Sequence, residues 1–303
     1  MRICNCLSIY LLFLTLTIKS QQDSVTAINY KCRKITTAAV TTGFLSSSIV
    51  YLNNIWYKPY HNEKFHFFND NKEWLQMDKV GHIYFTYQFS RLMTEGFEWS
   101  GFSKRQSLGL GGTMGFFYMG FIEIMDGYSR GWGFSWGDIL ANTLGTSLSI
   151  SQNAAWEEQR LQLKFSFLPS GLAKYNPELL GKDFYTQLIK DYNSQTYWLS
   201  INPSCFMKKE SKFPRYLSFS LGYSAFGMIG SNQKTYMIQN ELGEYIQFEA
   251  QRRYFLSVDL DLSRIKTKSK LLKSVFSIFN TLKIPAPTLQ YGNQKFKFYY
   301  LYY

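Results

Sequence analysis

The chain has 303 residues, enough for one large or two modest domains, with 46 % apolar and only 18 % charged residues. Its aromatic share of 18 %, with 23 Tyr and 26 Phe, suits a protein that touches a membrane better than an average cytosolic domain. A net charge of +12 could serve nucleic acid or an anionic lipid surface, but no zinc-finger, recognition-helix or RNP pattern accompanies it, which argues against nucleic acid as a partner.

The first predicted element is an export signal over residues 1–20. Arg2 gives a short basic start, Leu7 to Ile18 an apolar stretch, and Ser20 a small residue for cleavage. The stretch is shorter than a transmembrane helix needs. Cys4 and Cys6 precede it, so neither stands where a lipid-modified cysteine would. Cys32 and Cys205 remain after cleavage, and an oxidising compartment would permit a disulfide between them. No CxxC metal or redox motif is present.

Residues 35–157 read as helical. A first helix over 35–57 is free of charge, rich in Ser and Thr, and long enough to span a bilayer. A second covers 80–93 and is broken by Gly96 and the turn WSGFSK. A third covers 107–125 and carries Gly111, Gly112, Gly115 and Gly120 at spacings that let another helix approach closely, as Gly145 does on the fourth helix, 138–159.

From about residue 162 the period changes to two. In RRYFLSVDLDLSRI, 252–265, Tyr254, Leu256, Val258, Leu260 and Leu262 alternate with Ser257, Asp259, Asp261 and Ser263. RYLSFSLGYSAFGM, 215–228, alternates less cleanly, and Gly292-Asn293 can turn a terminal hairpin. Such strands resemble those of outer-membrane barrels, but four or five cannot close a barrel of eight, and a small sheet packed on the helices fits better. Residues 268–287 read as an amphipathic helix ended by Pro285. Its apolar side either covers the core of this half, the preferred reading, or lies at a membrane interface.

Three helical segments carry polar pairs: Asp78 and His82, Glu123 and Asp126, Asp138 and Asn142. Polar groups on apolar helices are costly to bury unless paired, so the three pairs are most cheaply explained if they face one another. The set could bind a divalent cation or perform acid/base chemistry, with His82, Glu123 and Asp138 as catalytic candidates and Lys79 and Arg130 as countercharges. Local explanations compete. Asp78 could be an N-cap, Ser135 and Asp138 a capping box, Asp126 part of a helix-ending turn, and His82 a satisfied core residue. Glu123 has no such explanation, because it follows an uncharged run, 106–122. There is no GxSxG, HExxH or P-loop, and His61, His66 and His82 lack the spacing of a His-rich metal site.

The order DKVGH, FIEIMDG, GWGFSWGDILANTLG resembles the YfiM-like family of predicted periplasmic lipoproteins, a domain of unknown function. It is also similar to the VanZ-like order Asp-Lys-x-x-His, Glu, Asp-x-x-x-Asn-x-x-Gly, here Asp78, Lys79, His82, Glu123, Asp138, Asn142 and Gly145. The likeness covers about residues 75–150; with HFFNDNKEWLQMDKVGH and KDYNSQTYWLS it resembles a longer Gram-negative envelope form. It implies an exported envelope protein, in the periplasm or outer membrane rather than the inner membrane.

The expected architecture is α+β: a membrane-like bundle of about four helices over 21–160, then a β-rich module over 161–303 with antiparallel hairpins and one amphipathic helix. The expected role is structural or accessory, docking on a lipid surface or an envelope protein. The alternative is an enzyme acting on a lipid or glycan headgroup.

Overall fold

The computed structural model describes residues 30–303 except 59, 61, 209 and 240–242. The signal segment, Cys4, Cys6 and His61 therefore lie outside the described residues. The fold is α+β. Five α-helices come first: α1 (Tyr30–Leu52), α2 (Met77–Trp99), α3 (Lys104–Leu110), α4 (Met114–Gly127) and α5 (Trp136–Trp156). Cys32 and Cys205 are not joined by a disulfide.

Two helix boundaries differ from expectation. Gly96 does not break α2, which runs on to Trp99. The stop comes at Gly101, whose φ of +87° favours a residue without Cβ, and the Phe102 N–H closes onto Phe97 O at 3.2 Å in a Schellman-type cap. The expected helix 107–125 is two helices, because the weak helix formers of residues 111–113 form a turn between α3 and α4. The stretches Tyr30–Tyr57 and Lys104–Gly127 are long and apolar enough to cross a membrane by length and composition. The turn leaves α4 with 14 residues, short of the ~20 that a crossing needs.

Glycines set how closely the helices approach α2. A Cβ on Gly111 would lie 2.7 Å from the Met93 backbone, on Gly115 2.6 Å from Thr86 O, and on Gly145 2.2 Å from Ile83 O. Gly112 is pressed against Leu108 O and Ile150. Gly120 differs: a Cβ there meets nothing within 4 Å, so it does not mediate this packing. Phe89, Met93, Tyr118 and Ile122 form the core between α2 and α4, and α1 adds Phe44, Leu45 and Ile49.

The second half adds β1 (Leu161–Phe167), α6 (Pro177–Leu180), α7 (Phe184–Lys190), β2 (Gln195–Ile201), β3 (Leu217–Phe226), β4 (Thr235–Gln239), β5 (Tyr245–Glu249), β6 (Gln251–Leu260), α8 (Lys270–Phe279), β7 (Ala286–Gly292) and β8 (Lys295–Tyr302). Six strands form an antiparallel sheet in the order β1-β2-β3-β6-β7-β8, and β4 pairs with β5. Just before β7, the Lys283 N–H donates to Phe165 O at 2.8 Å and Thr281 O accepts from Phe165 N–H at 3.0 Å. The chain thus bridges the free edge of β1, and the sheet curls towards a barrel. The terminal hairpin turns on Asn293 and Gln294, at φ of 48° and 58°, not on Gly292-Asn293; Gly292 stays in the ladder opposite Lys295. Helix α8 ends at Phe279, well before Pro285, and none of its residues is fully buried.

Candidate functional site

The site begins at an unusual turn. Trp74, Leu75 and Gln76 have φ of 48°, 51° and 63°, a left-handed run that costs ~1–2 kcal/mol per residue. Packing holds it. Trp74 is buried edge-on against Tyr192 and donates its N–H to Ser231 O at 2.7 Å, and the Tyr223 hydroxyl donates to Leu75 O. Asp78 follows as the second residue of α2. It is not the N-cap, which is Gln76, whose side chain makes no capping bond.

Asp78, Lys79 and His82 meet groups from α4, α5 and the loop before α2. Lys79 Nζ lies 2.7 Å from Asp70, 3.1 Å from Asp78 and 2.7 Å from Asp138. His82 Nε2 is 3.7 Å from Asp78, 3.7 Å from Glu123 and 3.9 Å from Asp138. Each of these exceeds a direct hydrogen bond and lies within reach of one bridging atom. The other ring nitrogen, Nδ1, donates to Asn142 Oδ1 at 3.0 Å, and the Tyr192 hydroxyl donates to Asp78 Oδ1 at 2.7 Å.

The expected capping box at Ser135 is only half formed. Ser135 Oγ accepts from the Asp138 N–H at 3.2 Å, but the Ser135 N–H goes to Glu123 Oε2 at 3.3 Å and its hydroxyl to Asp70 Oδ1 at 2.6 Å. Asp138 is thereby left to Lys79, whose ammonium lies 2.7 Å from Oδ1. Arg130 is exposed and forms no ion pair with the cluster, and His66 instead bonds Trp132 O at 2.7 Å. Sequence spacing missed Asp70 and Tyr192. Both lie outside the periodic segments, and their signal was only membership of HFFNDNKEW and KDYNSQTYWLS.

Charge in the cluster is set by burial and by neighbours. Burial opposes charge on His82, but Asp78, Asp138 and Glu123 outweigh it and push the imidazole up to about 9. Burial pushes Glu123 up to about 9 against the pull of His82, and Asp126 and Asp138 up to about 7. Asp78 goes the other way: burial would raise it, but His82, Lys79 and the Tyr192 bond hold it below the usual carboxylate range. At neutral pH burial therefore favours the neutral form of Glu123, the surrounding carboxylates favour the cationic form of His82, and Asp126 and Asp138 hold a proton more tightly than ordinary carboxylates.

These shifts predict a pH dependence of stability. His82 contributes stability that is complete below 6.5 and lost as pH rises through about 9. Glu123 acts with the same sign between 4.5 and about 9, and Asp126 and Asp138 between 3.8 and about 7. Asp78, with its lowered value, acts only in acid, where its contribution is lost. The thermal midpoint is expected to fall by about 5 °C or more between pH 5 and pH 9.5, and less in Glu123→Gln. A flat profile in the unmodified protein would contradict the assignment.

Asp78, His82 and Asp138 each offer one ligand atom, and these three atoms lie within 4.8 Å of one another, a spacing that a divalent cation could bridge. Lys79 competes for that position, since its ammonium already touches both carboxylates.

The cluster forms the polar floor of a cavity of about 490 Å³ that is open on one side. Its walls are mostly apolar, with Phe44 and Leu52 from α1, Ile122 from α4, Tyr197 from the sheet, and Leu188 and Ile189 from α7, interrupted by Ser48, Glu73, Lys190 and Gln195. Asp126 and Trp132 also line it, and Asp126 Oδ1 and Trp132 Nε1 are buried without a hydrogen-bond partner, as is Asn142 Nδ2 behind the floor.

A family model described as predicted periplasmic lipoprotein (DUF2279) matches residues 64–154. The match spans less than a third of the chain, yet it holds Asp70, Asp78, Lys79, His82, Glu123, Asp126, Asp138 and Asn142; Tyr192 closes the cluster from outside it. The description fits an exported envelope protein and names no activity. No curated protein and no solved structure matches the chain.

Proposed function

We propose that the protein is an envelope enzyme that performs acid–base chemistry on the polar head of an amphiphile whose apolar part lies in the cavity. The observation that carries this is the floor itself: Asp78, His82, Glu123, Asp126 and Asp138, with separated proton affinities, converge at the bottom of a mostly apolar cavity. Glu123 serves as the proton donor, since burial favours its neutral form. Asp138 serves as the acceptor, and His82 stands between them as the cation that steadies developing negative charge. The YfiM-like and VanZ-like motif order, which places the same residues in the same sequence, supports treating them as a unit.

The test is turnover. The full chain in detergent micelles is incubated with a lipid extract of Gram-negative envelopes, and altered headgroups are followed by mass spectrometry. His82→Gln and Glu123→Gln are expected to lower the rate about 100-fold or more with the helical circular-dichroism signal unchanged. Unchanged rates in both folded variants would sink the acid–base reading. They would leave the second one, an accessory protein whose cluster fixes helix register, which is supported by the bridge from Lys79 to Asp70, Asp78 and Asp138.

A further inference from the structure

The six-stranded sheet is inside out. Beside a small aromatic core of Trp198, Phe255 and Tyr302, its concave side carries the row Gln162, Ser200, Ser220, Ser257 and Thr288 across five strands, all buried. Beside them the Lys164–Asp259 ion pair, 2.8 Å long, has both side chains at 0 % exposure. Its convex side is apolar. Leu221, Leu256, Leu289 and Phe298 stand in one register row, and Tyr223, Tyr254, Tyr291 and Phe296 in the next. Leu221, Leu256 and Phe298 are each more than half exposed.

The same rows begin under cover. On β1 and β2 they continue as Leu163–Leu199 and Phe165–Tyr197, and there α2 lies over them, with the Tyr84 ring 5.7 Å from Phe165 and 5.6 Å from Tyr197. Beyond β2 the cover reaches only Tyr223, held by Leu75 O, while the rows run on uncovered through β6, β7 and β8. Burial of polar groups inside and exposure of apolar ones outside inverts the order that water selects, and it is the order that hydrocarbon selects.

We propose that the uncovered convex face of β3, β6, β7 and β8 lies against the acyl chains of one membrane leaflet, with the tyrosine row at headgroup level. Three features favour lipid over a second protein surface. An aliphatic row bordered by an aromatic row is the sequence of environments met on entering a bilayer. Arg252, bonded to Gln76, is exposed just past the tyrosine row, where it would meet anionic headgroups, and no acidic residue points outward from β3, β6 or β7. The outward run from Leu256 to Leu260 is about 13 Å along the strand, close to the ~15 Å of hydrocarbon in one leaflet. This contact does not depend on the chemistry proposed for the cavity.

The test uses the full chain in vesicles of phosphatidylethanolamine and phosphatidylglycerol whose acyl chains carry a photoreactive diazirine. After irradiation, adducts are mapped by peptide mass spectrometry. Adducts are expected on the strands bearing Leu221, Leu256 and Leu289. They should fall about tenfold on those strands in Leu256→Lys, because a lysine resists burial in hydrocarbon, and stay constant elsewhere. Protein that pellets with the vesicles but carries no adduct on β3, β6 or β7 would overturn the proposal. So would protein left in the supernatant, or chemical cross-links joining these strands between two copies.

Discussion

Lys79→Met is expected to destabilise the protein by about 3–5 kcal/mol, the cost of removing one partner from a buried ionic cluster. An exposed lysine–carboxylate pair would be worth under about 1 kcal/mol. What separates the two cases is the enclosure. The Lys79 side chain is 12 % exposed and that of Asp138 4 %, and the ammonium is shared by three carboxylates drawn from three parts of the chain. Methionine keeps the length of the stem and removes the charge, so Asp70, Asp78 and Asp138 would face one another with His82 as the remaining cation. Asp138 would then hold its proton to higher pH. The loss is therefore expected to be larger at pH 8, where that carboxylate must ionise, than at pH 5. The double variant Lys79→Met/Asp138→Asn removes one uncompensated charge and should recover part of the loss. Urea unfolding at the two pH values measures all of this. A shift below about 1 kcal/mol at pH 8 would mean that the lysine is solvated and the bridge is incidental.

The candidate site was legible in the chain to the extent that its members sit on helices. Asp78 with His82 and Asp138 with Asn142 are four apart, Glu123 stands alone in an uncharged run, and burial costs make such residues seek each other. Asp70 and Tyr192 escaped because they reach the cluster through a loop and an irregular turn, where no period marks which side chain points inward. In the sheet, the alternation of Tyr254, Leu256 and Val258 with Ser257 and Asp259 shows two unlike faces and is silent about which one is inside. That answer comes from Lys164 and Lys283, distant in sequence, which arrive beside Asp259. The glycine stripe was legible only in part. Gly120 falls at i+8 from Gly112, but helical spacing continues across residues 111–113 only if they are helical, and the turn there breaks the register between Gly112 and Gly120.

Gly145→Ala is the second large effect expected, about 3 kcal/mol or more of lost stability, at the upper end for overpacking. Its Cβ would come within 2.2 Å of Ile83 O and of Thr86 Oγ1. The hydroxyl could rotate away, but the carbonyl belongs to the α2 backbone and yields only if the helices part. Gly120→Ala is the control of opposite sign, because nothing lies within 4 Å and alanine gains up to about 1 kcal/mol in helix propensity. The consequence reaches the site. Gly145 lies one turn beyond Asn142, which accepts from His82 Nδ1 at 3.0 Å, and two turns beyond Asp138. Pushing α5 from α2 stretches the contacts that hold the imidazole up to about 9, so its titration should return towards 6.5 even in the fraction that stays folded. Nuclear magnetic resonance of the His82 ring reads this separately from the thermal midpoint. If Gly145→Ala lowered the midpoint but left the His82 titration in place, close packing would stabilise the bundle without setting the proton affinity of the site. Movement of both together is the expected result, since one glycine fixes the distance between the helices that carry the histidine and its carboxylate.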